Sequence, residues 1–158
     1  MAKKIKTNAL RLLDQAKIDY EIKEYEYDED HLSGEHIVAQ VEIPAKDIFK
    51  TLVLKGNRGF LVCCIPVSEE IDLKKLAKLS NNKSVAMIHM KDLLATTGYI
   101  RGGCSPVGMK KKFDTYFDSS VNNCDKIALS AGKRGYQMIV NASELINYLD
   151  AKICDVIK

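Results

Sequence analysis

Two β-rich runs, residues 49–55 and 60–67, are separated only by Gly56-Asn57-Arg58-Gly59. Apolar and β-branched residues on both sides of a glycine-flanked two-residue turn are the signature of a β-hairpin. The rest of the chain must be built around that hairpin. Helical spacing of Leu10, Leu13 and Ala16 predicts a first helix over 7–17 with Thr7 as its N-cap. A strand follows over 20–27, and its change of parity predicts a bulge near Lys23–Glu24. An acidic loop spans 28–32; Ser33 caps a short helix carrying Ile37, Val38 and Val41, and Pro44 opens one more turn. Asp72 begins a helix with Leu73, Leu76 and Leu79 on one face and Lys74, Lys75 and Lys78 on the other, ending at Asn81-Asn82. Further strands are expected at 85–88, 113–117, 126–129 and 136–140, helices at 91–95 and 143–149, and an edge strand at 153–157. Strands and helices interleave without regular βα alternation. The expected class is therefore α/β: one domain over 1–158, with a mixed, curved β-sheet and surrounding helices.

At 158 residues, 46% hydrophobic and 28% charged, the composition excludes a disordered chain. The net charge of +3 excludes a histone-like polycation, so contact with nucleic acid has to come from local clusters. Lys3, Lys4 and Lys6 precede a helix pattern rather than an apolar signal core. With five cysteines and no run of about 18 apolar residues, the chain reads as a cytoplasmic protein with reduced thiols and no membrane contact.

Metal chemistry finds no support: His31 and His36 are five apart, His89 is remote, and no CxxC or HExxH spacing exists. Neither a metal nor a cofactor is expected. Cys63 and Cys64 are strand neighbours that point to opposite faces, as core thiols would. Cys104 lies in a glycine-rich loop where a nucleophile could sit, yet no histidine stands near it in sequence, and the competing reading is a small apolar filler. The loops themselves say more. Gly102-Gly103-Cys104-Ser105-Pro106-Val107-Gly108 and Ser130-Ala131-Gly132-Lys133-Arg134-Gly135 can present bare backbone N–H groups to a carbonyl oxygen or phosphate, although such segments also serve as ordinary turns. Neither matches a nucleotide P-loop or dinucleotide fingerprint. Lys50 opens an otherwise apolar run, as a fixed cation for a phosphate or ester oxygen or as a snorkelling strand-end lysine. Lys110, Lys111 and Lys112 follow the first loop, and Lys133 and Arg134 lie in the second. That placement suggests a polyanion approaching one rim.

Together these segments resemble the YbaK/EbsC family of Cys-tRNA(Pro) deacylases, relatives of the editing domain of prolyl-tRNA synthetases. The resemblance is carried by Phe49-Lys50-Thr51-Leu52, Thr97-Gly98-Tyr99, the run 102–111 and the run 130–135. It implies hydrolysis of the ester between a mischarged amino acid and tRNA, without metal or cofactor. Lys50 matches the essential family lysine, Gly102 and Gly103 the glycines at the amino-acid end, Tyr25 a pocket tyrosine, and Ser130 and Gly132 the second pocket loop. By the same implication Lys50 and Gly103 serve catalysis, and Tyr25, Thr51, Gly102, Cys104, Ser105, Pro106, Gly108, Ser130 and Gly132 bind substrate. The five cations of 110–112 and 133–134 would then meet tRNA. The implied partners are cysteine-charged tRNA(Pro), with Cys-tRNA(Cys) as a second substrate, and prolyl-tRNA synthetase. Two departures stand out: Tyr27 replaces a common family histidine, and Cys104 replaces an aliphatic residue. An alanine-specific deacylase using water and a non-catalytic tRNA-binding or regulatory module are the alternatives, with Thr51 after the lysine favouring the cysteine type.

Overall fold

The computed structural model describes residues 5–27 and 34–158. The expected acidic loop at 28–32, the Ser33 cap, Lys3, Lys4 and His31 lie outside them. Helix α1 (Asn8–Gln15) is capped by the Thr7 side chain, which accepts the Leu10 N–H. Strand β1 (Tyr20–Glu24) follows, then α2 (Gly34–Val41) and a 3-10 turn (Ala45–Asp47) that Pro44 opens. The hairpin is formed by β2 (Phe49–Gly56) and β3 (Gly59–Pro66), with Gly56 paired to Gly59 beside the turn. Next come α3 (Leu73–Leu79), β4 (Val85–Met87), α4 (Met90–Thr97), β5 (Asp114–Asp118), a second 3-10 turn (Ser119–Asn123), β6 (Lys126–Ser130), β7 (Tyr136–Asn141), α5 (Ala142–Leu149) and β8 (Lys152–Cys154). Asp72 caps α3 by accepting the Lys74 and Lys75 amides, and Gly98 ends α4 at φ +87°.

The strands form two sheets rather than the one expected. One is mixed, in the order β4-β2-β3-β5-β8; the other is antiparallel, in the order β1-β7-β6. They meet at a single parallel bridge between Ile48 and Ala128. Strand β3 is buried on both faces, which explains its unbroken apolar run. Cys64 and Val62 pack with α1, β6 and β7, whereas Cys63, Leu61 and Ile65 pack beneath α3. The two neighbouring thiols are thus core residues on opposite faces.

Three local expectations fail for identifiable reasons. The register of β1 against β7 is regular from Tyr20 to Glu24, so the strand ends where a bulge was expected. Only Leu76 of the α3 leucine stripe is fully buried; Leu73 and Leu79 are exposed, and Ala77 takes the second inward position. The terminal strand is shorter than 153–157, although Ile157 does bridge to Ile71.

Candidate active site

Strand alternation sorts the antiparallel sheet into two faces. Ile22, Ile127, Leu129, Met138 and Val140 point into the α1 core. The opposite face carries Ala128, Ile139 and, one step past β1, Tyr25; these pack with Ile48 and Val41. The parallel Ile48–Ala128 bridge gives Lys50 on β2 and Ser130 on β6, each two residues further on, the parity of the bridged pair, and Lys50 pairs across the hairpin with Ile65. Gln137 is the cross-strand partner of Ser130. Lys50 is half-buried, and loss of water lowers its ammonium pKa below the ordinary lysine value, against the opposing pull of Glu70 and Glu69. Thr51 faces the other way, toward the Cys64 thiol at 3.7 Å.

The two glycine loops are zipped together. A Cβ on Gly103 would sit 3.1 Å from the Arg134 amide nitrogen and 3.3 Å from the Lys133 carbonyl carbon. Gly102 has φ +85°, and its Cβ would strike the Tyr27 ring at 2.6 Å. Arg134 stacks on that ring, 4.6 Å from its centroid, while its Nε donates to the Arg101 carbonyl at 2.8 Å. The Tyr25 hydroxyl points at the Gly102 carbonyl at 3.5 Å, and the Tyr25 amide donates to the Gly135 carbonyl at 2.8 Å. Tyr99 lies between the far ends of both loops: its hydroxyl donates to the Val107 carbonyl, and its ring bounds Gly108 and Gly132. Thr7, besides capping α1, donates to the Ala131 carbonyl at 2.6 Å.

Within this frame the expected residues divide. Ser130 accepts the Gly132 amide and Ser105 accepts the Val107 amide, so both hydroxyls shape their loops. Pro106 and Ser105 are buried beneath the first loop. The Gly103 N–H closes a turn on the Ile100 carbonyl at 2.9 Å, which gives Gly103 a spatial role. Among the described residues, the bare amides of this loop include its neighbours Gly102 and Cys104. Burial pushes the Cys104 thiol up to about 12, with a Thr97 hydrogen bond opposing, so Cys104 is a protonated filler at neutral pH. A Cβ on Gly98, at the end of α4, would sit 3.3 Å from Lys110 Cγ, and Lys110, Lys111 and Lys112 are all exposed. Lys133 sits over the Tyr136 ring at 5.6 Å.

Sequence reasoning missed two members of this cluster and gave Tyr27 only as a departure from the family. Tyr27 and Arg101 hold Arg134, and Gln137 lies near Tyr25. Their aromatic or polar types were visible, but no local pattern pairs residues about 110 positions apart. A separate cavity of about 690 Å³, lined by Lys55, Phe60, Met87, His89 and Asp92 among others, shares no residue with the loops. Among the described residues no cluster of three or more His, Cys, Asp or Glu could hold a metal ion. Among the described residues no helix is long and apolar enough to cross a membrane.

Residues 29–148 match the family described as an aminoacyl-tRNA editing domain. The chain belongs to that family. It is 48% identical over 152 residues, covering 96% of the chain and 93% of the relative, to a protein of Enterococcus faecalis named "Putative Cys-tRNA(Pro)/Cys-tRNA(Cys) deacylase EbsC". A proline–tRNA ligase of Fervidobacterium nodosum shares 34% identity over 68 residues, 43% of this chain and 12% of the ligase. The fold is that of a crystal structure titled as "a putative trans-editing enzyme for prolyl tRNA synthetase", with a TM-score of 0.83 at 18% identity over 98% of this chain and 99% of the other. The chain thus joins its two glycine loops to each other and to Tyr25 on a mixed α/β scaffold, and hydrolysis of aminoacyl-tRNA esters is its class of activity.

Proposed function

We propose that this editing domain deacylates Cys-tRNA(Pro), with Cys-tRNA(Cys) as a second substrate, by a mechanism in which the substrate supplies its own nucleophile. The observation that carries the reading is the combination of Lys50 with two interlocked glycine loops whose one thiol, that of Cys104, is held protonated. An aminoacyl ester is already activated. A free thiol ionises near 8.5, so a useful thiolate fraction exists near neutral pH.

In the proposed reaction the cysteinyl thiol gives its proton to solvent and its sulfur attacks the ester carbonyl carbon. The resulting oxyanion is met by the bare amides of Gly102 and Cys104. Collapse breaks the carbonyl carbon–ribose oxygen bond. The ribose oxygen takes a proton from solvent, and the amino acid departs as a cyclic thioester that water opens. Lys50 holds the terminal phosphate or the ester oxygen in place, and Gly103 lets the loops close. Tyr25, its hydroxyl pKa raised by burial, stays protonated as a donor. Lys111, Lys112 and Lys133 face the tRNA backbone. Because the net charge is only +3, selection of tRNA(Pro) falls to prolyl-tRNA synthetase as a partner.

The test is a panel of Cys-, Ala-, Ser- and Pro-charged tRNA(Pro) with the purified protein. Rapid release from Cys-tRNA alone supports thiol assistance. Equal release from Ala-tRNA means that water is the nucleophile, and tight salt-sensitive binding without turnover means a binding module.

A further inference from the structure

Gln137 is 4% exposed, and its side-chain oxygen Oε1 is buried without a hydrogen-bond partner among the described residues. A buried carbonyl left unpaired costs free energy, and such a group persists where function requires it. Its position is specific. Gln137 pairs across strands with Ser130 and with Lys23, on the face that carries Tyr25. Its side chain lies close enough to Tyr25 to oppose the rise in the tyrosine pKa that burial causes. Tyr25 in turn reaches the Gly102 carbonyl. The orphan oxygen therefore belongs to the network that supports the first glycine loop.

We infer that Gln137 is a substrate-positioning residue whose Oε1 accepts a hydrogen bond from the α-ammonium of the esterified amino acid. This rests on the editing reading of the same site. Three chemical considerations select the ammonium. A charged N–H donor rewards a buried acceptor more than a neutral hydroxyl does, and a thiol is a weak donor. A neutral amide holds a cation without adding negative charge beside the incoming phosphates, as a carboxylate would. The acidic groups that act on Lys50 are Glu69 and Glu70, and Glu70 also pairs with Lys158 at 3.2 Å. The amide oxygen of Gln137 is an acceptor with no such partner, open to the substrate's own cation.

The experiment compares Cys-tRNA(Pro) with the same tRNA carrying 3-mercaptopropionate, which keeps the thiol and ester but lacks the amino group. Wild type and Gln137→Met are assayed on both, with thermal midpoints recorded; Gln137→Glu, which keeps an acceptor oxygen in either protonation state, tests rescue. Gln137→Met is expected to raise KM for Cys-tRNA about tenfold or more. It should leave the desamino substrate within about twofold, and Gln137→Glu should restore discrimination between the two. Equal losses on both substrates, or no loss on either, overturn the inference. Failure of wild type to release cysteine overturns the editing reading itself and is seen before any variant is compared.

Discussion

Replacing Gly103 with alanine separates the contribution of loop contact from that of backbone conformation. Gly103 does not have a positive φ, so an alanine is conformationally acceptable there, and its effect comes from what the methyl meets. That is main chain: the Arg134 nitrogen at 3.1 Å and the Lys133 carbonyl carbon and Cα at 3.3 and 3.4 Å. Carbon contacts are most favourable near ~3.5–4.0 Å, so the loops must part by roughly half an ångström. Overpacking of this kind costs about 1–3 kcal/mol, or roughly 2–12 °C in thermal midpoint for a chain of this size. Misplacing a reacting group by ~1 Å costs about a hundredfold in rate, so half that displacement predicts a loss of about tenfold in kcat/KM on Cys-tRNA(Pro). Gly59→Ala is the control. Gly59 has φ +118° with nothing within 4 Å, at the far end of the hairpin. It should lose comparable stability through backbone strain while retaining full activity. Circular dichroism melts and single-turnover deacylation on both variants decide the matter. If Gly103→Ala melts early yet deacylates at the wild-type rate, the loop contact is no part of the site.

Cys104→Ala should keep deacylation within a few-fold, and the native thiol, held near 12, should react slowly with iodoacetamide at pH 7; a hundredfold loss of turnover would make Cys104 a nucleophile after all. The pH profile tests Lys50. Its pKa lies below the ordinary value, and the cation acts only while protonated, so kcat/KM should fall on the alkaline side earlier than for an exposed lysine. Glu70 raises that pKa, so Glu70→Gln should move the alkaline limb to lower pH; a shift upward, or none, contradicts the placement of Lys50.

Much of this architecture was legible because local chemistry wrote it. Gly56 and Gly59 marked the hairpin, while Thr7 and Asp72 marked helix starts, and each does its expected work in the fold. What could not be read was long-range. The split into two sheets depends on β3 pairing in parallel with β5 and on one bridge between Ile48 and Ala128, which no local pattern encodes. Leu73 and Leu79 carry the helical period of a core stripe yet remain exposed, since periodicity gives a helix face but not what covers it. In the candidate site, lysine and glycine types were recognisable individually. The stacking of Arg134 on Tyr27 and the unpaired oxygen of Gln137 exist only once β1, β6 and β7 are assembled.

The most direct measurement is single-turnover release of cysteine from Cys-tRNA(Pro) by Lys50→Ala beside wild type, with matched melting curves. If the half-buried ammonium on β2 anchors the ester, the variant should fold normally and lose activity by at least about a hundredfold. A folded Lys50→Ala protein that releases cysteine at the wild-type rate would contradict the account.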